Sequence, residues 1–219
     1  MKVERRFASR RVQVDKRADG KSVLTGYGAV FYRADDPGTQ CELYTDVYER
    51  IMPTAFDSAM REKDDARGLF NHDINLLLGR VSSGTMRLSV DTVGLRYEID
   101  PPENATGSNV VESVKRGDVT GSSFSFFPYT AKRGKVVWLE EKLPDGRMIT
   151  IREIHDLELV DVGPVTFPAY DSSTASMRAA GGDVQDVLSE LRNWQANRQA
   201  PSDIDFDLLI GAARALGAG

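Results

Sequence analysis

Short stretches in which polar and apolar residues alternate place the strongest constraint on this fold. From Val3 to about Tyr170 they recur between clusters of Gly, Pro and Asp, which is typical of β-strands. Residues 85–90 and 95–99 both alternate, and Asp91-Thr92-Val93-Gly94 between them favours a turn. The sequence therefore predicts a mainly β domain of the α+β class that contains this β-hairpin.

Two short helices are predicted within the β-rich part. One begins near Thr54, after Pro53, and the other runs from a cap at Ser108 or Asn109 to Gly117. The glycines of Gly26-Tyr27-Gly28 are interpreted as bulge or turn positions, not as a ligand-binding loop.

The composition changes abruptly after residue 170. Small and polar residues fill the stretch from 171 to 182, which indicates a flexible linker. Asp183 then provides a helix cap, and a second helical stretch follows Pro201. The apolar residues at helical spacing after the cap are Val184, Val187, Leu188 and Leu191. We predict a domain of residues 1–170, a linker of 171–182 and a separable helical C-terminal tail of 183–219.

Charge and cysteine content exclude several classes of function. With 28 Lys and Arg against 33 Asp and Glu, the formal charge of −5 gives no general attraction to nucleic acid. Cys41 is the only cysteine, so no intramolecular disulfide forms and a reducing compartment is expected. Because no continuous apolar segment is present, we expect neither a signal peptide nor a membrane span, and a soluble intracellular protein. No metal-binding or nucleotide-binding motif occurs, so no metal or cofactor is expected.

Only His72 and His155 can supply an imidazole base. His72 follows the apolar run Gly68-Leu69-Phe70 and is flanked by polar turn residues, so it is predicted at a strand end, where a rigid scaffold can present a catalytic side chain. A surface turn histidine would give the same pattern. His155 stands among charged residues and is interpreted as solvated or paired.

The segment Gly121-Ser122-Ser123-Phe124-Ser125-Phe126 contains the candidate nucleophile. In a strand, Ser122, Phe124 and Phe126 share one face, and Ser123 and Ser125 share the other, small and polar face. That second face would leave room for a substrate carbonyl to approach Ser123. An ordinary strand with serines toward water is the alternative, and no G-x-S-x-G elbow is present.

A serine nucleophile needs a base, and the base needs a group that fixes its tautomer. Asp161 is the candidate, because it stands in the apolar run Val160-Asp161-Val162 and a buried carboxylate must find a partner. A backbone amide or an arginine would satisfy it equally well. Glu158 falls on the opposite strand face by alternation and is the weaker candidate.

Taken in order, several motifs resemble the prohead serine protease family of tailed bacteriophages. They are residues 26–31, 49–56, 71–73, 78–80, 83–88, 94–95, 115–124 and 164–170. The resemblance implies a small β-barrel with flanking helices, similar to the herpesvirus capsid assembly proteases. It also implies that His72 activates Ser123, with Asp161 where the family commonly has a glutamate. Ser125 stands where a glycine is usual and leaves open which serine attacks, although the motif alignment favours Ser123; Gly163 stands where a serine is common.

The function implied by the resemblance is that of a serine endopeptidase inside an assembling procapsid in the cytoplasm of the bacterial host. Its expected partners are the scaffold and the major capsid protein, as protein substrates, and then the protease itself, with residues 172–182 as the candidate self-cleavage region. The herpesvirus analogy allows a homo-oligomer. The alternative is a non-catalytic capsid-assembly or scaffold module of the same fold. A cysteine hydrolase using Cys41 has no support, since nothing nearby favours a thiolate.

Overall fold

The computed structural model describes residues 3–8, 10–166 and 184–197, and these confirm the prediction of a mainly β fold. The strands are β1 (Glu4–Ala8), β2 (Gln13–Lys16), β3 (Ser22–Val30), β4 (Gln40–Tyr44), β5 (Val47–Ile51), β6 (Arg67–Leu69), β7 (Leu77–Arg80), β8 (Met86–Val90), β9 (Gly94–Ile99), β10 (Gly121–Phe127), β11 (Lys135–Lys142), β12 (Met148–Asp156) and β13 (Glu158–Val165). The helices are α1 (Asp57–Glu62), α2 (Ala105–Arg116) and α3 (Val184–Asn197), and one 3-10 turn covers Pro37–Thr39.

The described strands form three open sheets. Their orders are β1-β10-β13-β6-β7, β11-β12-β5-β4 and β2-β3-β9-β8. Most neighbours are antiparallel, but β13 runs parallel to β6 and β12 runs parallel to β5. The expectation of a β-barrel is therefore wrong for this part of the chain, because each sheet ends in two edge strands and none closes on itself.

The physical reason is that the five-stranded sheet and the β2-β3-β9-β8 sheet pack face to face instead of sharing a hydrogen-bonded ladder. Strand β3 packs across β10 and β13. A Cβ atom placed on Gly28 would overlap the Val162 side chain, so the two sheets approach closely at this glycine. Beside it, the Tyr97 and Ser122 hydroxyls hydrogen-bond across the same interface at 2.7 Å. Side-chain packing thus joins the sheets where a barrel would need strand pairing.

Local predictions hold in most places. Strands β8 and β9 form the expected hairpin, with Val90 opposite Leu95. The register of β3 against β9 shifts between Tyr27 and Ala29, which confirms a bulge at Gly28. Helix α1 begins at Asp57, after a turn that includes the predicted start.

The predicted start of helix α2 is wrong, although its end is right. The cap is Asn104, whose side chain accepts a hydrogen bond from the Gly107 amide at 3.0 Å, and not Ser108 or Asn109. Asparagine in an extended conformation is a strong cap and therefore starts the helix earlier. At the other end Gly117 has φ of 82°, the left-handed conformation that terminates a helix and favours glycine.

The main core lies between the five-stranded sheet and the β2-β3-β9-β8 sheet. Phe124 and Phe126 of β10 stack at 5.1 Å between ring centroids, and Phe56 meets Phe124 edge-on at 5.5 Å. This confirms the prediction that the phenylalanines of β10 share a buried face. Burial of these large rings fixes β10 and hence the position of its other face.

Helix α3 packs against the β11-β12-β5-β4 sheet. Leu188 and Leu191 are buried against Leu43 and Val47, and the Trp194 ring lies tilted against Trp138 at 6.3 Å between centroids. The predicted linker, Asp183 and the helical stretch after Pro201 lie outside the described residues, and the three-part domain division stays a prediction. No helix of the described ranges is long and apolar enough to cross a membrane.

A buried ion cluster connects β1, β5, β12 and α3. Glu49 accepts hydrogen bonds from Arg6 at 2.5 Å and from Arg152 at 2.5 Å. Arg152 also donates to Glu4 at 2.8 Å and to Glu190 at 3.0 Å. The side chains of Glu49 and Arg152 are 1% and 0% exposed, so these buried charges are stabilised by one another and not by water.

Candidate active site

The three sequence-predicted site residues come from three neighbouring elements of the five-stranded sheet. Ser123 lies on β10, Asp161 lies on the adjacent β13, and His72 lies in the turn between β6 and β7. Because β13 stands between β10 and β6 in the sheet, it places its carboxylate between the serine strand and the histidine turn. The structure therefore brings all three side chains together.

The side chains form a continuous hydrogen-bonded row. His72 Nδ1 lies 2.5 Å from Asp161 Oδ1, and His72 Nε2 lies 2.7 Å from Ser123 Oγ. The His72 and Asp161 side chains are each 7% exposed. A proton on Nδ1 that is donated to the carboxylate leaves Nε2 as an acceptor for the serine hydroxyl. This is the arrangement in which a histidine can act as a general base toward a serine.

A strained turn presents His72. Asn71 and His72 have φ of 55° and 57°, and the Asp73 amide donates to the Phe70 carbonyl at 3.1 Å. Two consecutive positive φ values inside such a hydrogen bond are typical of a type I′ turn, in which asparagine is favoured. The left-handed conformation costs on the order of 1 kcal/mol for each residue. The sequence correctly predicts a strand end here, but the strain is visible only in the structure.

Asn71 fastens this turn to the end of β13. Its amide nitrogen Nδ2 donates to Thr166 Oγ1 at 3.0 Å, and its Oδ1 accepts from the Thr166 backbone amide at 2.8 Å. The Asn71 backbone amide donates to the Pro164 carbonyl at 3.1 Å. These three hydrogen bonds hold the His72 turn in place against its own strain.

Ser123 has two acceptors for a single hydroxyl proton. One is His72 Nε2, and the other is the Arg6 carbonyl on the neighbouring strand β1, at 2.9 Å. The residue has no exposed surface, so the sequence-based expectation of an open polar face is wrong in this conformation. Its Oγ is instead occupied by contacts to His72 Nε2 and to the Arg6 carbonyl. Ser123 is therefore closed to solvent in this structure.

Ser125 occupies a different position from Ser123, although both lie on one face. Its hydroxyl donates to Asp161 Oδ2, and its strand position is directly opposite Asp161 in the β10–β13 register. His72 is within hydrogen-bond distance of Ser123. The geometry therefore separates the two serines: Ser123 contacts the imidazole and Ser125 contacts the carboxylate.

The remaining candidates lie elsewhere. His155 Nε2 is 2.9 Å from Glu153 Oε2, which fits the interpretation of a paired histidine. Glu158 pairs in register with Phe127, away from the Ser125–Asp161 position. Burial raises the pKa of the Cys41 thiol, which disfavours a thiolate nucleophile.

Sequence reasoning missed the residues that support the three. The Asn71 contacts to Thr166 depend on the parallel pairing of β13 with β6, which local patterns do not reveal. The Arg6 carbonyl reaches Ser123 because β1 pairs with β10, again a long-range contact. For Ser125 the sequence did carry a signal, because alternation along the strand places it on the same face as Ser123. In the described part of the chain, no three His, Cys, Asp or Glu side chains are grouped as a metal site requires.

One family model matches most of the chain. The family model of the caudovirus prohead serine protease matches residues 9–186 of the 219. The chain belongs to this family. No curated protein and no solved structure matches the chain significantly. Membership in the prohead protease family means that the chain is related to serine peptidases of phage capsid maturation, and the match includes His72, Ser123 and Asp161 within its bounds.

Proposed function

We propose that this member of the prohead protease family is an active serine endopeptidase in which Ser123 is the nucleophile, His72 is the general base and Asp161 orients His72. The observation that carries the proposal is the row of contacts from Asp161 Oδ1 to His72 Nδ1, at 2.5 Å, and from His72 Nε2 to Ser123 Oγ, at 2.7 Å. A hydroxyl is a weak nucleophile at neutral pH and requires such a base.

The reaction has two halves. In the first, Ser123 Oγ forms a bond to the substrate carbonyl carbon, its proton passes to His72 Nε2, and the C–N bond breaks as His72 protonates the leaving amine. In the second, His72 takes a proton from water, the water oxygen attacks the acyl carbon, and Ser123 Oγ leaves with the proton. The Asp161 carboxylate stabilises the imidazolium that forms in each half. For the first half to begin, the Ser123 proton must point to His72 and not to the Arg6 carbonyl.

The proposed substrates follow from family membership. They are the scaffold and the major capsid protein of an assembling procapsid in the bacterial cytoplasm, and then the protease itself in the region of residues 172–182. The closed position of Ser123 supports a protease that is inactive until a substrate or an assembly partner rearranges the site. Such latency would limit damage before the procapsid closes.

Co-expression with the cognate major capsid protein tests the proposal. Three forms are compared by gel and mass spectrometry: wild type, Ser123→Ala and, as a matched control, Ser89→Ala on the exposed face of β8. We expect processing with the wild type and with Ser89→Ala, and none with Ser123→Ala. Processing that survives in Ser123→Ala would exclude Ser123 as the nucleophile. Absence of processing with all three forms would favour a non-catalytic assembly module.

A further inference from the structure

Ser125 is a buried hydroxyl that the proposed mechanism does not use. It lies on β10 with no exposed surface, and its Oγ donates to Asp161 Oδ2. The two oxygens of Asp161 are thereby divided, since Oδ1 faces His72 Nδ1 and Oδ2 faces Ser125. Each oxygen of the carboxylate has its own donor from a different element.

A carboxylate held by one partner alone keeps rotational freedom. The terminal torsion of an aspartate is broad, so a single contact to His72 does not fix the plane of the carboxylate. A second donor on the other oxygen fixes that plane, and with it the direction in which Oδ1 meets the imidazole. Hydrogen bonds to an ionised group are also stronger than neutral ones, which suits this task.

The backbone supplies an independent observation. The β10–β13 register is regular from Gly121 to Ser125 and shifts directly after the Ser125–Asp161 pair, where Phe126 is opposite Leu159. Such bulges re-aim a side chain, and they are frequent next to active sites. The bulge therefore lies directly beside the pair that sets the orientation of the Asp161 carboxylate.

We propose that Ser125 is a positioning residue of the active site, which holds Asp161 in the orientation that His72 needs. The proposal rests on the proposed function, because it assigns a role within the same row of side chains. Ser125 acts through Asp161, and it does not touch the substrate. Its loss should therefore slow the chemical step and leave substrate binding almost unchanged.

The test measures kcat and KM on a peptide that spans the cleavage site mapped by the co-expression experiment. Four proteins are compared: wild type, Ser125→Ala, Asp161→Asn and the double variant. We expect Ser125→Ala to lower kcat by about 10- to 100-fold, the range that a hydrogen bond to a charged group supports, with KM within about twofold. In the Asp161→Asn background the same substitution should change kcat by less than about threefold, because the residue through which Ser125 acts is already impaired.

A second variant covers the case in which alanine disturbs the buried strand. Ser125→Cys keeps the shape of the side chain, with a slightly larger atom in place of the oxygen, and weakens the donor, so its kcat should fall between those of alanine and wild type. Circular dichroism and thermal unfolding confirm that each variant is folded. A wild-type kcat in both Ser125→Ala and Ser125→Cys would overturn the proposal, as would an equal effect of Ser125→Ala with and without Asp161→Asn.

The outcomes also separate this proposal from the proposed function. If Ser123→Ala is inactive and the Ser125 variants are unaffected, only the positioning role is wrong. Activity that survives in Ser123→Ala and disappears in Ser125→Ala would make Ser125 the nucleophile and overturn both. Full activity in both single alanine variants would refute the assignment of the site as a whole.

Discussion

The buried ion cluster allows a sharp prediction about stability. Glu49 is the shared acceptor of two guanidinium groups, at 2.5 Å from Arg6 Nε and 2.5 Å from Arg152 Nη1, and its side chain is 1% exposed. Glu49→Gln keeps the shape, so no cavity forms. It removes one of the buried negative charges and turns an amide donor toward guanidinium donors. The substitution is made in the Ser123→Ala protein, so that self-digestion does not interfere.

The expected loss is large because breaking a buried pair leaves an uncompensated charge. Such changes lower the free energy of unfolding by roughly 3–5 kcal/mol. For a chain of this size that corresponds to a fall in Tm of roughly 6–20 °C. Urea denaturation at pH 7, followed by far-ultraviolet circular dichroism, measures the difference.

Glu190→Gln is the matched control, since it makes the same chemical change within the same cluster. Glu190 on α3 is more exposed, at 25% of its side chain. Burial raises the pKa of Glu190, and the attraction of Arg152 offsets that effect only in part. A carboxyl whose folded-state pKa is raised contributes stability at low pH that is lost as the pH rises, so its charge does not stabilise the fold at pH 7. We expect Glu190→Gln to cost little or to stabilise; losses of equal size in the two variants, or no loss in Glu49→Gln, would refute the reasoning.

Three further predictions concern the site, the sheet interface and acid stability. Asp161→Asn should lower kcat by about three to four orders of magnitude, because the tautomer of the base is no longer fixed, and a fall of less than tenfold in peptide cleavage would argue against its role. Gly28→Ala should lower the free energy of unfolding in urea by about 1–3 kcal/mol, since the added Cβ overlaps Val162, and an unchanged midpoint would contradict the close packing. Burial alone would raise the pKa of Glu4, but its two arginine neighbours lower it below the ordinary value of 4.5. The ionised Glu4 carboxylate therefore stabilises the fold fully above pH 4.5, and this stabilisation is lost as the pH falls through the lower folded-state pKa. Urea midpoints should accordingly fall with acid in the wild type, and less steeply in Glu4→Gln.

Local patterns in the sequence account for much of the fold. The alternation around Asp91 predicts the β8–β9 hairpin, and the phenylalanines of β10 predict its buried face. These features depend on neighbours in the chain, which a single sequence displays. The sheet arrangement depends on long-range pairing, and for this reason local patterns do not distinguish a barrel from the open sheets that are found.

The site is partly predictable for the same reason. The placement of His72 after an apolar strand, and of Asp161 within an apolar run, makes both residues candidates from the sequence alone. The role proposed for Ser125 does not follow from the sequence, because it depends on the register of β10 against β13 and on the bulge beside it. The ion cluster is equally hidden, since Arg6 and Glu49 meet only after distant strands are assembled.

The most direct test of the central claim is to find which serine reacts as a nucleophile. The wild-type protein and His72→Ala, each co-expressed with the cognate major capsid protein so that the site can rearrange, are treated with a fluorophosphonate probe, which phosphonylates activated serines, and the modified peptide is identified by mass spectrometry. We expect an adduct on Ser123 in the wild type and none in His72→Ala. An adduct on Ser125, or equal labelling of Ser123 with and without the His72 imidazole, would contradict it.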